Sequence, residues 1–369
     1  MRPFKRIFRR VRDPRAPNAS HHLVEILLVA LAATLCGAKG AADFAEFGRA
    51  KEAALRRFLR LPHGIPSHDT FSRVFRLLDP ASFERAMRRF MAAFAKAHGL
   101  ALSGVVAIDG KALRGAYQRG ARATPLHMVN VFATEARLVV AARLARGRNE
   151  TAGALEVLAA LLLNNCIVSA DALHCNRAFA VLVLKRGGDY VLALKKNQRK
   201  LFDAVARRFA RAGPRSSAER REASTHDRCE ARRATVIRDA NLARTLNFPG
   251  VVAIARITSR RRPSHGRAEP VAVRYYLLSK YLPAGKLLRA VRSHWAIENN
   301  LHWMLDVVFA EDACRARCDH AAENLAILRR LAITIIRQHP EAKSMRRKIL
   351  RAGWDDAFLF SLLAHMRWP

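Results

Sequence analysis

The sequence predicts an α/β fold, preceded by an all-helical N-terminal region and carrying a β-rich insertion. Three observations predict it. Residues 1–100 place their apolar side chains at helical spacing. From residue 104, short apolar runs bounded by glycine alternate with helical runs. Residues 199–270 read mostly as strands with polar and basic faces.

The helical region opens on "HHLVEILLVALAATLCGAKG", dense in Ala and Leu and stopping at Gly40. "AADFAEFGRAKEAALRRFLRL" sets Phe44, Phe47, Leu55, Phe58 and Leu59 on one stripe. Ser67 or His68-Asp69 offers an N-cap for "TFSRVFRLL", and Pro80 closes that segment. "ASFERAMRRFMAAFAKAHG" is a further amphipathic helix ending at Gly99.

"GVVAIDG" is a short buried strand ending at Asp109. "LHMVNVFATEARLVVAARLA" gives two strands with a polar turn at Thr134–Arg137. "GALEVLAALLLNN" is a helix, "CIVSADAL" a strand, "RAFAVLVLKRGGD" a helix stopped by Gly187-Gly188, and "YVLALKK" a strand. In the insertion, "RRFARAGPRSSAERREAS" reads as a charged connector, and "ARRATVIRD", "GVVAIARITSRRR" and "VAVRYYLLS" read as strands. From Pro283 the chain is helical, with "AGKLLRAVRSHWAIENNLHWMLDVVF" as one helix and "HAAENLAILRRLAITIIRQH" as another. The expected division is therefore 1–100 helical, 101–340 α/β with its insertion at about 199–270, and 341–369 a basic C-terminal helical tail.

Composition bounds the partner. Lys and Arg number 66 against 30 acids in 369 residues, a formal charge of +36. Such an excess repels itself, so a polyanion is the expected partner, a solvated basic surface being the alternative. The six cysteines are sparse and irregular, as in a reduced compartment. Leu23–Leu35 contains Glu25 and falls short of the ~20 residues of a membrane span. No signal peptide is expected, and a cytoplasmic location is.

Asp109 and Asp171 each end an apolar strand, where side chains project into the mouth of a sheet. If their strands are neighbours, the two carboxylates repel unless they hold a cation, and hard cations such as Mg²⁺ favour carboxylate oxygen. The other reading of each is a strand-end cap. Glu298 lies between Trp295 and Leu301 in an apolar stripe, bordering the buried face, with His294 and His302 four residues to either side. A metal or a basic side chain would satisfy it there; a Glu298 ion pair that only fixes helix packing is the alternative.

"VVAIDGKALRGA", "VSADALH", "DYVLALKKNQ", "RYYLLS", "VRSHWAIENNLHWMLDVVFAEDACRAR" and "HAAENLAILRRLA", in that order, resemble the ISAs1 family of transposases. These are IS4-type DDE enzymes related to the H-repeat-associated proteins. The resemblance implies an RNase H-like catalytic core. It also implies that Asp109, Asp171 and Glu298 are the catalytic acids, holding Mg²⁺ or Mn²⁺, two ions per site. The implied reaction is cleavage at the ends of an insertion sequence and strand transfer into target DNA. The implied partner is double-stranded DNA, the terminal inverted repeats and the target. A homo-oligomer on DNA is expected because two ends must be cut together. Two alternatives stand beside this: a catalytically silent, transposase-derived DNA-binding protein, and an RNase H-like nuclease without strand transfer.

The sequence departs from the family at Lys196, where glycine is usual, and at Asp227 and Cys229 within the series His226, Arg228, Glu230, Arg232. The Tyr, Arg and Lys expected around the glutamate are Val291, His294 and Leu305. Candidates for DNA contact are Lys111, Arg114, Lys195, Lys196, Arg292, His294 and His302. Asp306 and Glu311-Asp312 are rival acids to Glu298. Cys314, Cys318 and His320 lack the second pair that structural zinc usually requires. Trp295 and Trp303 fit the apolar core better than a base-stacking role.

Overall fold

The structure is a computed structural model describing residues 2–117, 124–211, 216–224, 228–263 and 270–366. Residues 212–215 of the expected connector, and His226 and Asp227, lie outside the described residues.

The N-terminal region forms α1 (Arg2–Phe8), α2 (Leu23–Leu35), α3 (Ala41–Ala50), α4 (Glu52–Leu55), α5 (His68–Leu77) and α6 (Pro80–Ala97). α2 is buried nearly all round, as its Ala/Leu composition demands. It stops at Cys36 rather than Gly40, because Gly37 turns the chain with φ +95°. Ser67 caps α5 through the Thr70 amide. Asp79 caps α6, and Pro80 is that helix's first residue.

The sheet strands that follow are β1 (Gly104–Tyr117), β2 (Pro125–Ala133) and β3 (Leu138–Leu144). Next come α7 (Glu150–Leu158), β4 (Cys166–Ala170), α8 (Arg177–Lys185) and β5 (Asp189–Leu194). After them come α9 (Arg199–Arg211), β6 (Ser216–Ser224), β7 (Arg228–Arg238), α10 (Leu242–Thr245), β8 (Ala253–Pro263) and β9 (Ala272–Leu278). Among the described residues the nine strands make one sheet in the order β3-β2-β1-β4-β5-β9-β8-β7-β6. β1, β4 and β5 are parallel to one another, and the remaining ladders are antiparallel. This is the RNase H-like arrangement, three antiparallel strands continued by two parallel ones, with the insertion's strands extending the same sheet.

Two expectations need correction here. The connector is not one: α9 forms over Arg199–Arg211 because Val205 and Phe209, four residues apart, bury one face, and β6 pairs with β7. Asp109 does not end its strand either. The parallel ladder to β4 stops at Ile108–Ala170, but the antiparallel ladder to β2 carries β1 past Asp109 to Leu113 and Tyr117.

The C-terminal part forms α11 (Ala284–His294), α12 (Trp303–Val307), α13 (Ala321–Gln338), α14 (Met345–Trp354) and α15 (Asp356–Ala364). The single helix expected from Ala284 onward is interrupted by a π turn, Glu298–His302, closed by the Trp303 amide on the Glu298 carbonyl. Such one-residue expansions re-aim side chains and recur at functional sites. α11 packs on β6, β7, β1 and β4. α13 is buried along almost its full length between β3 and helices α2, α5 and α6. There Asn324 donates to the carbonyls of Phe75 and Leu78, at 2.9 and 2.8 Å. One continuous core therefore runs from Phe4 through the sheet to Met366. No described helix is long and apolar enough to cross a membrane.

Candidate active site

Asp109 and Asp171 leave adjacent parallel strands at the same level, each one residue beyond the last β1–β4 pair, Ile108–Ala170. Glu298 reaches them from the π turn. The three carboxylates line a cavity of about 270 Å³, together with Ser169, Lys195, Arg274, Tyr276, His294 and Trp295. Asp171 also accepts the Leu173 amide at 3.0 Å, which holds the loop after β4. The loop after β5 is tied to that one by Asn197 and Gln198, which donate to the carbonyls of Ala172 (2.9 Å) and Cys175 (3.3 Å).

The electrostatics are those of acids crowded together and partly buried. Burial, then Glu298 and Asp171 beside it, push the Asp109 carboxyl up to about 8. The hydrogen bond from His302 brings Glu298 down to about 2. The pair thus holds a proton chiefly on the more buried Asp109. Asp109, Glu298 and His302 each bring one ligand-type atom within 4.8 Å of the others, and among the described residues no other group of three does so. The Cys314, Cys318 and His320 set therefore forms no such cluster.

Whether divalent ions fit can be judged from this donor set. Three carboxylates crowd one cavity, and the buried Asp109 carboxyl is pushed up beside Glu298 and Asp171, a donor set that matches a hard cation. The residues fit.

A pH dependence follows. The folded Asp109 value lies above the ordinary 3.8, so between about pH 4 and pH 8 the metal-free folded chain keeps a proton that the unfolded chain has lost. Stability contributed by this group is fully present below pH ~4 and is lost as pH rises through about 8. Urea midpoints from about pH 5 to 8 should fall less steeply in Asp109→Asn, and equal slopes would refute the assignment. Divalent cations should bind more tightly as pH rises over the same window, with proton release.

Several sequence-level candidates land elsewhere. Lys111 is buried, not presented to solvent: it is 6% exposed and lies against Asp306 (2.6 Å), Asp312 (3.1 Å) and Glu311 (3.9 Å). Its strand side is covered by the 311–313 turn, which can approach because position 115 is glycine; a Cβ there would collide with the carbonyls of Asp312 and Cys314. Asp306, Glu311 and Asp312 are thereby accounted for as partners of buried cations rather than rivals to Glu298. Arg114 is exposed and pairs with Asp312 at 3.4 Å. Lys195 and Lys196 are exposed, and Lys195 reaches the cavity. Arg292 is exposed on α11. His294 lines the cavity, but burial lowers its proton affinity, so near neutral pH it offers a hydrogen bond rather than a charge.

His302 points inward: it is 6% exposed, with Nδ1 at 3.4 Å from Glu298 and 3.7 Å from Asp109. Glu298 itself is half exposed at the mouth, not on a buried face, because the π turn rotates it outward. Trp295 and Trp303 are not core residues; they are 38% and 53% exposed. Trp295 forms a cavity wall, with the Arg274 guanidinium 6.0 Å from its ring centre.

Residues that sequence reasoning missed are Arg274 and Tyr276 on β9, and Asn130, Arg329 and Arg330 behind the site. Arg330 is wholly buried and bonds Asn130 (2.6 Å), Glu311 (2.8 Å) and the Ala326 carbonyl (2.9 Å). Burial alone would raise the fully buried Glu311 carboxyl, but Arg330, Arg329 and Lys111 outweigh it and hold it below its usual range. The available signal was polarity in apolar runs, Asn130 in "MVNVFA" and the arginine pair in "LAILRRLAITII".

Comparison with known proteins places this site in context. Residues 5–91 match the family described as DDE_Tnp_1-associated, and residues 101–335 match the family described as Transposase DDE domain. The H-repeat-associated protein YhhI of Escherichia coli K12 is 33% identical over 356 residues, covering 94% of this chain and 93% of that one. A protein encoded in the dhlA 3′ region of Xanthobacter autotrophicus is 41% identical over 265 residues, 70% of this chain and 88% of that one. Among solved structures, a piggyBac transposase synaptic complex with hairpin DNA aligns over 98% of this chain and 81% of that one, with a TM-score of 0.45 and 11% identity.

Proposed function

The chain belongs to the ISAs1-type, IS4-related family of DDE transposases, and from that premise we propose that it cuts DNA at the ends of its element and joins them to a target. The observation that carries this reading is the gathering of Asp109, Asp171 and Glu298 around one cavity, with no cationic side chain salt-bridged to them among the described residues except through His302. These three would hold two Mg²⁺ or Mn²⁺ ions. Such ions, when bound, supply an activated oxygen nucleophile and stabilise the leaving oxygen.

The chain's own residues do the rest. Asp109, deepest in the set, accepts or releases a proton as the site is loaded. Asp171 and Glu298 come from two different elements beside it, so ions held by the three acids would lie between these carboxylates and a scissile phosphate. Lys195 and Arg274 supply positive charge at the rim, and the exposed Trp295 face can stack on a nucleotide beside the cut. We assign the segments roles as follows: 1–100 with DNA binding, 101–340 with catalysis, and 341–369 as a basic helical extension. A groove of about 610 Å³ in the first segment is lined by Lys5, Arg9, Arg12, His22 and Arg60, with Asp13 and Glu25 beside them. It suits a phosphate backbone. Assembly as a homo-oligomer would bring two element ends together.

The test is a supercoiled-plasmid assay carrying the element's ends with Mg²⁺ or Mn²⁺. Joined products support the proposal. Cleavage without joining indicates a nuclease, and no product a silent DNA-binding protein. In the same preparation, DNA affinity should fall with salt at a log–log slope of about −0.9 per phosphate neutralised, and a flat response would count against DNA as the partner.

A further inference from the structure

Asn130 sits in β2, opposite Asp109 across the β1–β2 ladder, and it is wholly buried between Arg330 and His302. Its two amide ends are distinguished twice over. Arg330 Nε lies 2.6 Å from one end, and a guanidinium only donates, so that end is Oδ1. The other end lies 3.2 Å from the Met128 carbonyl, which only accepts, so that end is the NH₂ group. A flipped amide would lose both bonds and set like groups against each other at a wholly buried position.

The consequence passes to the histidine. One Nδ2 hydrogen goes to Met128, and Nδ2 also faces His302 Nε2 at 3.3 Å. His302 Nε2 must therefore accept, and the ring proton sits on Nδ1. Nδ1 is the atom that faces Glu298 Oε2 at 3.4 Å and Asp109 Oδ2 at 3.7 Å. Behind Asn130, Arg330 is itself anchored by Glu311 and by the Ala326 carbonyl, so the orientation is set from the core outward.

We propose that Arg330 and Asn130 lock His302 in the Nδ1–H tautomer, so that it is a positioning donor to the carboxylates and not a ligand of the ions. This rests on the reading of the site given above. A nitrogen that carries a proton toward Asp109 and Glu298 cannot also bind a metal there. His302 then adds no nitrogen to the ion set, which leaves the three carboxylates as its donors and favours Mg²⁺ and Mn²⁺. An imidazole ligand would instead admit zinc, copper and nickel. It also explains why a histidine within reach of two acids spends its other nitrogen on a buried asparagine.

The experiment is nitrogen-15 NMR of the imidazoles in the full-length protein near neutral pH, with the His302 signals identified by their loss in His302→Asn. The expected result is a single Nδ1–H tautomer in the metal-free protein, unchanged on saturation with Mg²⁺. An Nε2–H tautomer, a doubly protonated ring, or loss of the Nδ1 proton when Mg²⁺ is added would overturn the proposal. Asn130→Ala, where it folds, should give a mixture of tautomers, and an unchanged Nδ1–H signal would remove Asn130 from its role. Where it does not fold, the wild-type spectra decide. Because the readout is a proton position, it stands or fails apart from the plasmid assay: a silent or merely nucleolytic protein could still show the lock, and an active transposase could lack it.

Discussion

Asp109→Asn and Glu298→Gln should each lower DNA cleavage by at least about a thousandfold, the scale on which losing one group that stabilises transition-state charge is felt. Asp171→Asn should behave alike. DNA binding at moderate salt should survive in all three. The replacements keep size and hydrogen-bonding capacity but remove the negative charge that a divalent ion needs, whereas the basic surface that meets the backbone is untouched. Asp109→Asn should be the best folded of the three, because it removes a buried acid that burial and two neighbouring carboxylates hold at about 8. Plasmid cleavage and a parallel binding titration check this. Near-normal cleavage by any one variant would mean that the acid concerned does not hold the ions.

The second large effect is on stability. Arg330→Met should destabilise the fold by about 3–5 kcal/mol, because it strands a fully buried carboxylate, Glu311, and a buried amide oxygen, Asn130 Oδ1. The cluster is balanced, with Arg329, Arg330 and Lys111 set against Glu311, Asp306 and Asp312. Removing one cation breaks that balance where water cannot restore it. The double variant Arg330→Met with Glu311→Leu should recover part of the loss, since a buried pair replaced as a unit leaves no orphaned charge. Urea unfolding measures both. A single variant within about 1 kcal/mol of wild type would show that the pair is not structurally coupled.

This cluster also locates the boundary of what could be read in advance. Asp109, Asp171 and Glu298 were legible because each breaks a local pattern, two at the edge of apolar runs and one inside a helical stripe. The strands of the catalytic half were legible for the same reason: glycine-bounded apolar runs and helix caps are local signals. α9 escaped because its two buried positions, Val205 and Phe209, are few among charges. β6 escaped because "SSAERREAS" has no apolar alternation, and its pairing with β7 makes it a strand.

Side-chain destinations were less accessible still. Lys111 reads as a candidate DNA contact two residues past Asp109, yet its partners lie about two hundred positions away, Asp312 among them. Trp295 and Trp303 sit at apolar spacing in an ideal helix, but Trp295 follows the end of α11 and forms a cavity wall, and the π turn shifts the phase that would have buried Trp303. The order of most elements, the family and the positions of the three candidate acids were legible in the sequence alone, because periodicity, capping and short motifs act over a few residues. Which basic groups are free, which way Glu298 faces and what stands behind His302 were decided only by tertiary structure. Ion pairs and hydrogen bonds between distant segments depend on distance in space, and local patterning carries no record of that distance.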